Sequence, residues 1–191
     1  MTQIAQAALV SFPAARADSA RCAASFAEPA IHLRTAKDSD LPFMRQLYGS
    51  LRAQELAQTG WPADTQQAFI DSQLALQHRH FVTVYAAADF YVVQAGGRAI
   101  GRYYLLRRSP YYLVVDIALL PGERGRGVGG SLLAWTQQLA ERDPDAEGIE
   151  LHVDERNSGA QRLYTRLGFQ LTTHESPYLG MRWTCGSSPV N

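Results

Sequence analysis

The segment that most constrains this chain is Pro121-Gly122-Glu123-Arg124-Gly125-Arg126-Gly127-Val128-Gly129-Gly130-Ser131. It follows an apolar stretch, residues 111–119, that reads as a strand. It leads into Val128, Leu132, Trp135 and Leu139, whose spacing of three or four residues is helical. Glycines at a helix N-terminus let backbone N–H groups converge on an anion with no Cβ in the way, and the helix dipole favours negative charge there. Arg124 and Arg126 add two formal positive charges. A surface loop that needs only positive φ does not require this many glycines beside two arginines, so the segment reads as a phosphate site.

The surroundings narrow down which phosphate compound it holds. Gly125, Gly127 and Gly130 satisfy G-x-G-x-x-G, and Asp154 or Glu155 lies near where the ribose-binding acid of a dinucleotide fold would fall. Against that reading, Pro121-Gly122-Glu123-Arg124 separates the strand from the first of these glycines, where a dinucleotide turn is tight. The loop also starts about two thirds of the way along 191 residues, leaving too little chain for the remaining βαβ units. The strands before it are joined by hairpins. A nucleoside-triphosphate loop fails because no Gly-Lys-Ser/Thr follows.

The rest of the chain sets the expected fold. Residues 1–30 are Ala-rich, contain Pro13 and Pro29 and lack periodicity, so they read as an N-terminal extension without the features of a secretory signal, with disorder, a short helix packed on the domain and a mis-called start all left open. The folded domain is expected over 31–184, with a short tail at 185–191. Ile31-His32-Leu33-Arg34 alternates as a strand. Helices are predicted from Leu41 past Glu55 and from about Ala63 to the His78 region, separated by Thr59-Gly60-Trp61-Pro62. Strands near 90–93, 100–106 and 111–119, with turn signals at Gly96-Gly97 and Ser109-Pro110, form an antiparallel meander. A helix over about 128–142, a strand at 149–153, a helix at 158–167 and strands near 169–173 and 179–183 complete an α/β domain with helices on both faces of a mixed sheet.

Composition removes other classes. Lys+Arg and Asp+Glu are 18 each, which argues against a nucleic-acid binder working by counterion release. No run approaches the roughly 18 apolar residues of a membrane span. The two cysteines, Cys22 and Cys185, lie near opposite ends, a sparse usage that suits a reducing compartment, so a soluble, cytoplasmic protein is expected. Of the five histidines only His78 and His80 lie close together, and no metal is implied.

Two motifs, in order and correctly spaced, carry a resemblance. The first is Arg124-Gly125-Arg126-Gly127-Val128-Gly129, which fits the pattern Arg/Gln-x-x-Gly-x-Gly/Ala after a strand that ends in a proline. The second is Glu150-Leu151-His152-Val153, then Asn157, Ala160, Leu163-Tyr164 and Leu167-Gly168-Phe169. Together they resemble the GNAT superfamily of acyl-CoA-dependent N-acyltransferases, over residues 31 to about 183. The resemblance implies a mostly antiparallel sheet with one splayed parallel strand pair. Acetyl-CoA would be the co-substrate and no metal would take part. Its pyrophosphate would lie on Arg124, Gly125, Arg126, Gly127, Val128, Gly129 and Gly130, and its pantetheine arm on the main chain of Ile117, Ala118 and Leu119 and on Asn157. Splayed strands leave backbone donors free to polarise a thioester carbonyl. The implied activity is transfer of an acetyl group to a primary amine of a small molecule or protein, with a homodimer as the associated assembly. A non-catalytic acyl-CoA-binding module is the alternative.

Acyl transfer to an amine needs a neutral amine, stabilisation of an oxyanion and a proton for the departing thiolate. By resemblance, Tyr164 matches the family's general acid, and a phenol with a reference pKa of about 10 keeps its proton at neutral pH. The strand position at which many relatives carry an acid aligns with Leu113, which cannot serve. Asp116 stands three residues later, and His152 occupies a position where some relatives carry a glutamate. Alternation sets His152 on the face opposite Leu151 and Val153. His152 is therefore expected to take the amine proton, directly or through water, with Asp116 orienting it or attracting a cationic substrate. Substrate selection is expected at residues 58–62 and at the aromatic stretch 81–91; Trp61, Tyr85, Tyr103, Tyr104, Tyr112 and Tyr178 are candidate walls, although aromatic residues at strand spacing are more often core than ligand cage.

Overall fold

The structure, a computed structural model, describes residues 9–19, 24–26 and 29–186. Its strands are β1 (Ser25–Phe26), β2 (Ile31–Thr35), β3 (Asp89–Ala95), β4 (Arg98–Leu106), β5 (Tyr111–Leu119), β6 (Gly148–Asp154), β7 (Gln170–Glu175) and β8 (Tyr178–Thr184). Its α-helices are α1 (Leu41–Ala57), α2 (Ala63–Val84), α3 (Val128–Arg142) and α4 (Ser158–Arg166). The strands form one eight-stranded sheet in the order β1-β2-β3-β4-β5-β6-β8-β7. Every neighbouring pair is antiparallel except β5 and β6.

Because the sheet is covered on both faces, the central strands are apolar at successive positions rather than at alternate ones. In β3, Tyr91 and Val93 join Leu33, Leu132, Leu133 and Trp183 in one core, while Phe90 and Val92 join Met44, Phe81, Val82 and Tyr104 in the other. The first core lies under α3 and the second under α1 and α2. Each fully buried Leu or Phe contributes about 1.5–3 kcal/mol to this packing.

Helix α2 runs to Val84, beyond the expected end near His78. The polar run His78-Arg79-His80 looks like a helix end, but His78 is only 1% exposed. Its Nε2–H donates to the Val10 carbonyl at 2.8 Å, and Phe81 and Val82 continue the buried face. The extension begins pairing earlier than expected: Ser25 and Phe26 lie opposite His32 and Ile31 as an edge strand. Further upstream, Phe12 packs edge-on to His78 and against Phe90 and Tyr104, and Asp18 pairs with Arg107. Cys22 and most of the 185–191 tail lie outside the described residues.

The feature that positions the site is the β5–β6 seam. Pairing runs from Tyr111↔Gly148 to Val114↔Leu151 and then stops, so the two strands part as expected. On its other side β5 carries a bulge: Leu105 faces Val114 and Tyr104 faces Asp116, leaving Val115 as the extra residue. A bulge changes which face the following side chains take. Val114 packs into the first core and Val115 against the second, and Asp116 shares the second face with Tyr104, its cross-strand partner.

Candidate active site

A cavity of about 680 Å³ occupies the opened seam. One end is built by the glycine segment. Gly127, at φ 83°, turns the chain into α3, a conformation that costs an L-residue about 1–2 kcal/mol. The amides of the first helical turn have no partner within the helix, and they border the cavity. A Cβ on Gly129 would stand 3.3 Å from Leu163 Cδ2, so the bare turn also lets α3 and α4 approach. Arg124 lines the cavity with its Nε donating to the Leu119 carbonyl at 3.2 Å. Arg126 instead points to Glu123, 3.1 Å away, is 67% exposed and does not line the cavity.

The long wall is β5. Ile117, Ala118 and Leu119 pair with Tyr103, Arg102 and Gly101 of β4, so their opposite backbone edge, where β6 has left, borders the cavity. Across the gap stand Asn157 and Tyr164. Asn157 caps α4, its Oδ1 accepting from Ala160 N at 3.1 Å, a bond that uses the oxygen and not the amide nitrogen. Tyr164 is 5% exposed and lies beside Phe169. Burial, helped by the nearby Asp116 carboxylate, pushes its phenol up to about 12, because both disfavour the anion.

A second, smaller cavity of about 130 Å³ shares Asp116, Ile117, Asn157 and Tyr164 with the first and adds His152. His152 is exposed, while Leu151 and Val153 are buried, in line with strand alternation. It borders this smaller cavity and not the larger one. Asp116 belongs to both, and its Oδ2 accepts from Arg102 Nε at 2.7 Å. The structure therefore brings the seam residues, Arg124, the glycines, Asn157, Tyr164 and Asp116 together, with His152 on the adjoining chamber.

The candidate aromatic walls do not border the cavity, and Tyr103, Tyr104 and Tyr112, at strand spacing, are core. Tyr103 and Tyr104 are fully buried in the two cores, Tyr103 sharing a 2.6 Å hydrogen bond with Thr136 and Tyr104 donating to Met44 Sδ at 3.7 Å. Tyr112 donates to Asp143 at 2.7 Å, Trp61 packs on Phe69, and Tyr85 and Tyr178 are not among the cavity residues. Of the stretch 81–91, the first four residues complete α2 and the last three open β3. The cavity is walled instead by Tyr48, Leu51 and Arg52 of α1, Gln77 of α2 and Arg102 of β4. Arg102 carried a signal in the sequence: an arginine inside the apolar run 100–106 must find a partner if that strand is central. The scattered arginines form no basic stripe. Arg102 is buried, Arg107 is bound to Asp18 and Asp89, and Arg108 and Arg126 lie beside Glu150 and Glu123.

Fold and cavity together define a class: an α/β protein whose central sheet opens beside a glycine-lined helix start. The chain belongs to the acetyltransferase (GNAT) family, whose family model matches residues 50–169. Among solved structures it is similar to the PaiA N-acetyltransferase of Thermoplasma acidophilum in complex with coenzyme A, with a TM-score of 0.62 and 15% identity over 81% of this chain and 99% of that one. An acetyltransferase from Thermus thermophilus matches with a TM-score of 0.59 and 14% identity over 81% and 96% of the two chains. The Arabidopsis thaliana protein NAA60, in complex with a bisubstrate analogue, matches with a TM-score of 0.52 and 16% identity over 83% and 100%. These likenesses show the fold. Among the described residues no helix is long and apolar enough to cross a membrane.

Proposed function

We propose that this protein is an acetyl-CoA-dependent N-acetyltransferase acting on a primary amine of a small molecule or protein. The observation that carries the reading is the one cavity on which three features meet: the unpaired backbone edge of β5, the bare first turn of α3 and the buried phenol of Tyr164. The cavity fits an elongated anionic thioester. A helix start with Arg124 beside it suits the pyrophosphate, the amides of Gly125, Arg126, Gly127, Val128, Gly129 and Gly130 supply donors, and a side chain at Gly129 would crowd Leu163. The main chain of Ile117, Ala118 and Leu119 and the Asn157 amide line the arm. Bound there, acetyl-CoA supplies the activated acyl group.

The chain's own residues then manage protons. Tyr164 keeps its proton throughout the neutral range and delivers it to the departing sulfur. His152 takes the amine proton through the small chamber it shares with Tyr164 and Asp116. The bulge answers the missing acid at Leu113: that residue is 6% exposed in the core, and the carboxylate at the seam comes from Asp116 instead. This favours an enzyme over a non-catalytic acyl-CoA-binding module. Thiol release from acetyl-CoA across peptides with free N-termini, lysine, other amino acids, polyamines and aminoglycosides tests the reading. Release that depends on an amine and falls in Tyr164→Phe supports it. Saturable coenzyme A binding with no release on any amine would assign the module instead. The cytoplasmic location expected from the sparse cysteine usage and the homodimeric assembly implied by the resemblance complete the reading, the latter testable by light scattering.

A further inference from the structure

Arg102 is the largest fully buried side chain of the described residues, 1% exposed, in the middle of a sheet. Burying a guanidinium is costly unless its donors are matched, and replacing both members of a buried ion pair by apolar groups of similar volume is often no less stable. Its surroundings are specific. Nε donates to Asp116 Oδ2 at 2.7 Å and Nη2 donates to Gln77 Oε1 at 2.8 Å. The rings of Phe81 and Tyr104 lie 5.4 Å from the guanidinium carbon. The planar fork is thus held by α2 through Gln77, stacked by two aromatic rings and aimed at one carboxylate oxygen.

That carboxylate is the one on the bulged residue next to the seam. Asp116 is 21% exposed and lies on the walls of both chambers, with Tyr164 across the gap. With Oδ2 taken by Arg102, Oδ1 is the oxygen left for a ligand. We propose that Arg102, steadied by Gln77, is a positioning residue that fixes Asp116 so that its Oδ1 orients the nitrogen of the acceptor amine in the seam. The inference rests on the N-acetyltransferase reading, because it needs an amine there. Tyr164 works from the α4 side of the gap, and the Arg102–Asp116 pair from the face covered by α1 and α2. The site so built offers one anchored carboxylate oxygen to one amine, and the neighbouring guanidinium disfavours a second ammonium group beside it.

The test compares wild type, Arg102→Lys, Asp116→Asn and the double variant, using the amine that gives the fastest thiol release. A lysine keeps the charge but lacks the planar fork that presents separate nitrogens to Asp116 and Gln77. The expected result is that Arg102→Lys raises KM for the amine about tenfold, the worth of one charge-assisted hydrogen bond, with coenzyme A affinity unchanged by calorimetry. Asp116→Asn does the same, and the double variant is no worse than Asp116→Asn, because Arg102 acts only through Asp116. Additive losses, or an unchanged amine KM in a folded Arg102→Lys, overturn the proposal. If Arg102→Lys does not fold, Gln77→Leu takes its place with a smaller rise in the same KM. Carbon-13 carboxyl NMR, with the Asp116 signal identified by its loss in Asp116→Asn, gives a readout that needs no turnover. A displaced Asp116 signal in Arg102→Lys or Gln77→Leu supports the positioning, and an unmoved one overturns it. If wild type acetylates no amine, the enzymatic reading fails, and this signal still decides what Arg102 does to Asp116.

Discussion

At Leu113 and Val114, β5 is paired on both sides, with β4 and with β6; at 116–119 it is paired with β4 alone. In the doubly paired part the side chains are core, Leu113 and Val114 being 6% and 5% exposed. In the singly paired part Asp116, Ile117 and Leu119 are half-buried and border the cavity. A buried backbone group left unpaired costs on the order of 1–3 kcal/mol, so an opened seam is tolerated when water or a ligand reaches its free edge. One strand is therefore core at its start and, on the proposed function, a binding edge at its end, so substitutions in the two parts should fail in different ways.

The largest effect is expected at the open end. Gly127→Asp combines the cost of φ 83° with a negative charge in the anion cradle, and should weaken coenzyme A binding about 10³-fold. Calorimetry showing affinity within twofold of the parent in a folded variant would break the assignment of this end to binding. Tyr164→Phe should lower kcat about 10²-fold and leave coenzyme A affinity unchanged. Because the phenol is raised to about 12, it stays in its donating form as pH rises past its ordinary value. The rate should then show no dependence on the Tyr164 hydroxyl that varies between pH 6 and about 10. A wild-type to Tyr164→Phe rate ratio that collapses within that range would remove the acid role.

At the paired end the consequence changes kind. A Cβ on Gly148, the first β6 residue in the seam, would run into the Trp183 carbonyl oxygen. Gly148→Ala should cost about 1–3 kcal/mol of stability in urea unfolding, with coenzyme A affinity of the folded protein intact. Equal loss of affinity and stability would mean the two parts are not separable. His152→Ala is expected to slow turnover about tenfold, since water in its exposed chamber partly replaces it. An unaltered rate and pH profile would take His152 out of the mechanism. The smallest effect belongs to Arg126→Ala, about threefold on coenzyme A affinity, because its exposed side chain turns to Glu123 and only its amide is proposed to face the ligand. A loss matching that of Arg124→Ala would show that its side chain swings onto the ligand.

Much of this arrangement was legible from local pattern. The glycines from Gly125 to Gly130, the helical spacing after them and the Asn157 and Tyr164 block announce their elements within a few residues of chain, and the structure carries them on the same elements. Tyr103 and Tyr104, at strand spacing, were more readily core than pocket lining, but only the packing of two helical layers assigns them to opposite cores. His78 misled for the complementary reason. A histidine in a polar run marks a helix end until Val10, 68 residues away, supplies the carbonyl that lets it be buried.

What the sequence determined by itself is the glycine-lined turn into α3 and the helix that carries Tyr164, because backbone freedom and helical period act between near neighbours, and, through the resemblance carried by its two motifs, the family. The tertiary structure alone decided that Asp116 reaches the seam, that Arg102 stands behind it and that Arg126 does not join Arg124. Each of these depends on a register between strands or on a partner far along the chain, and a bulge exists only once two strands have been paired.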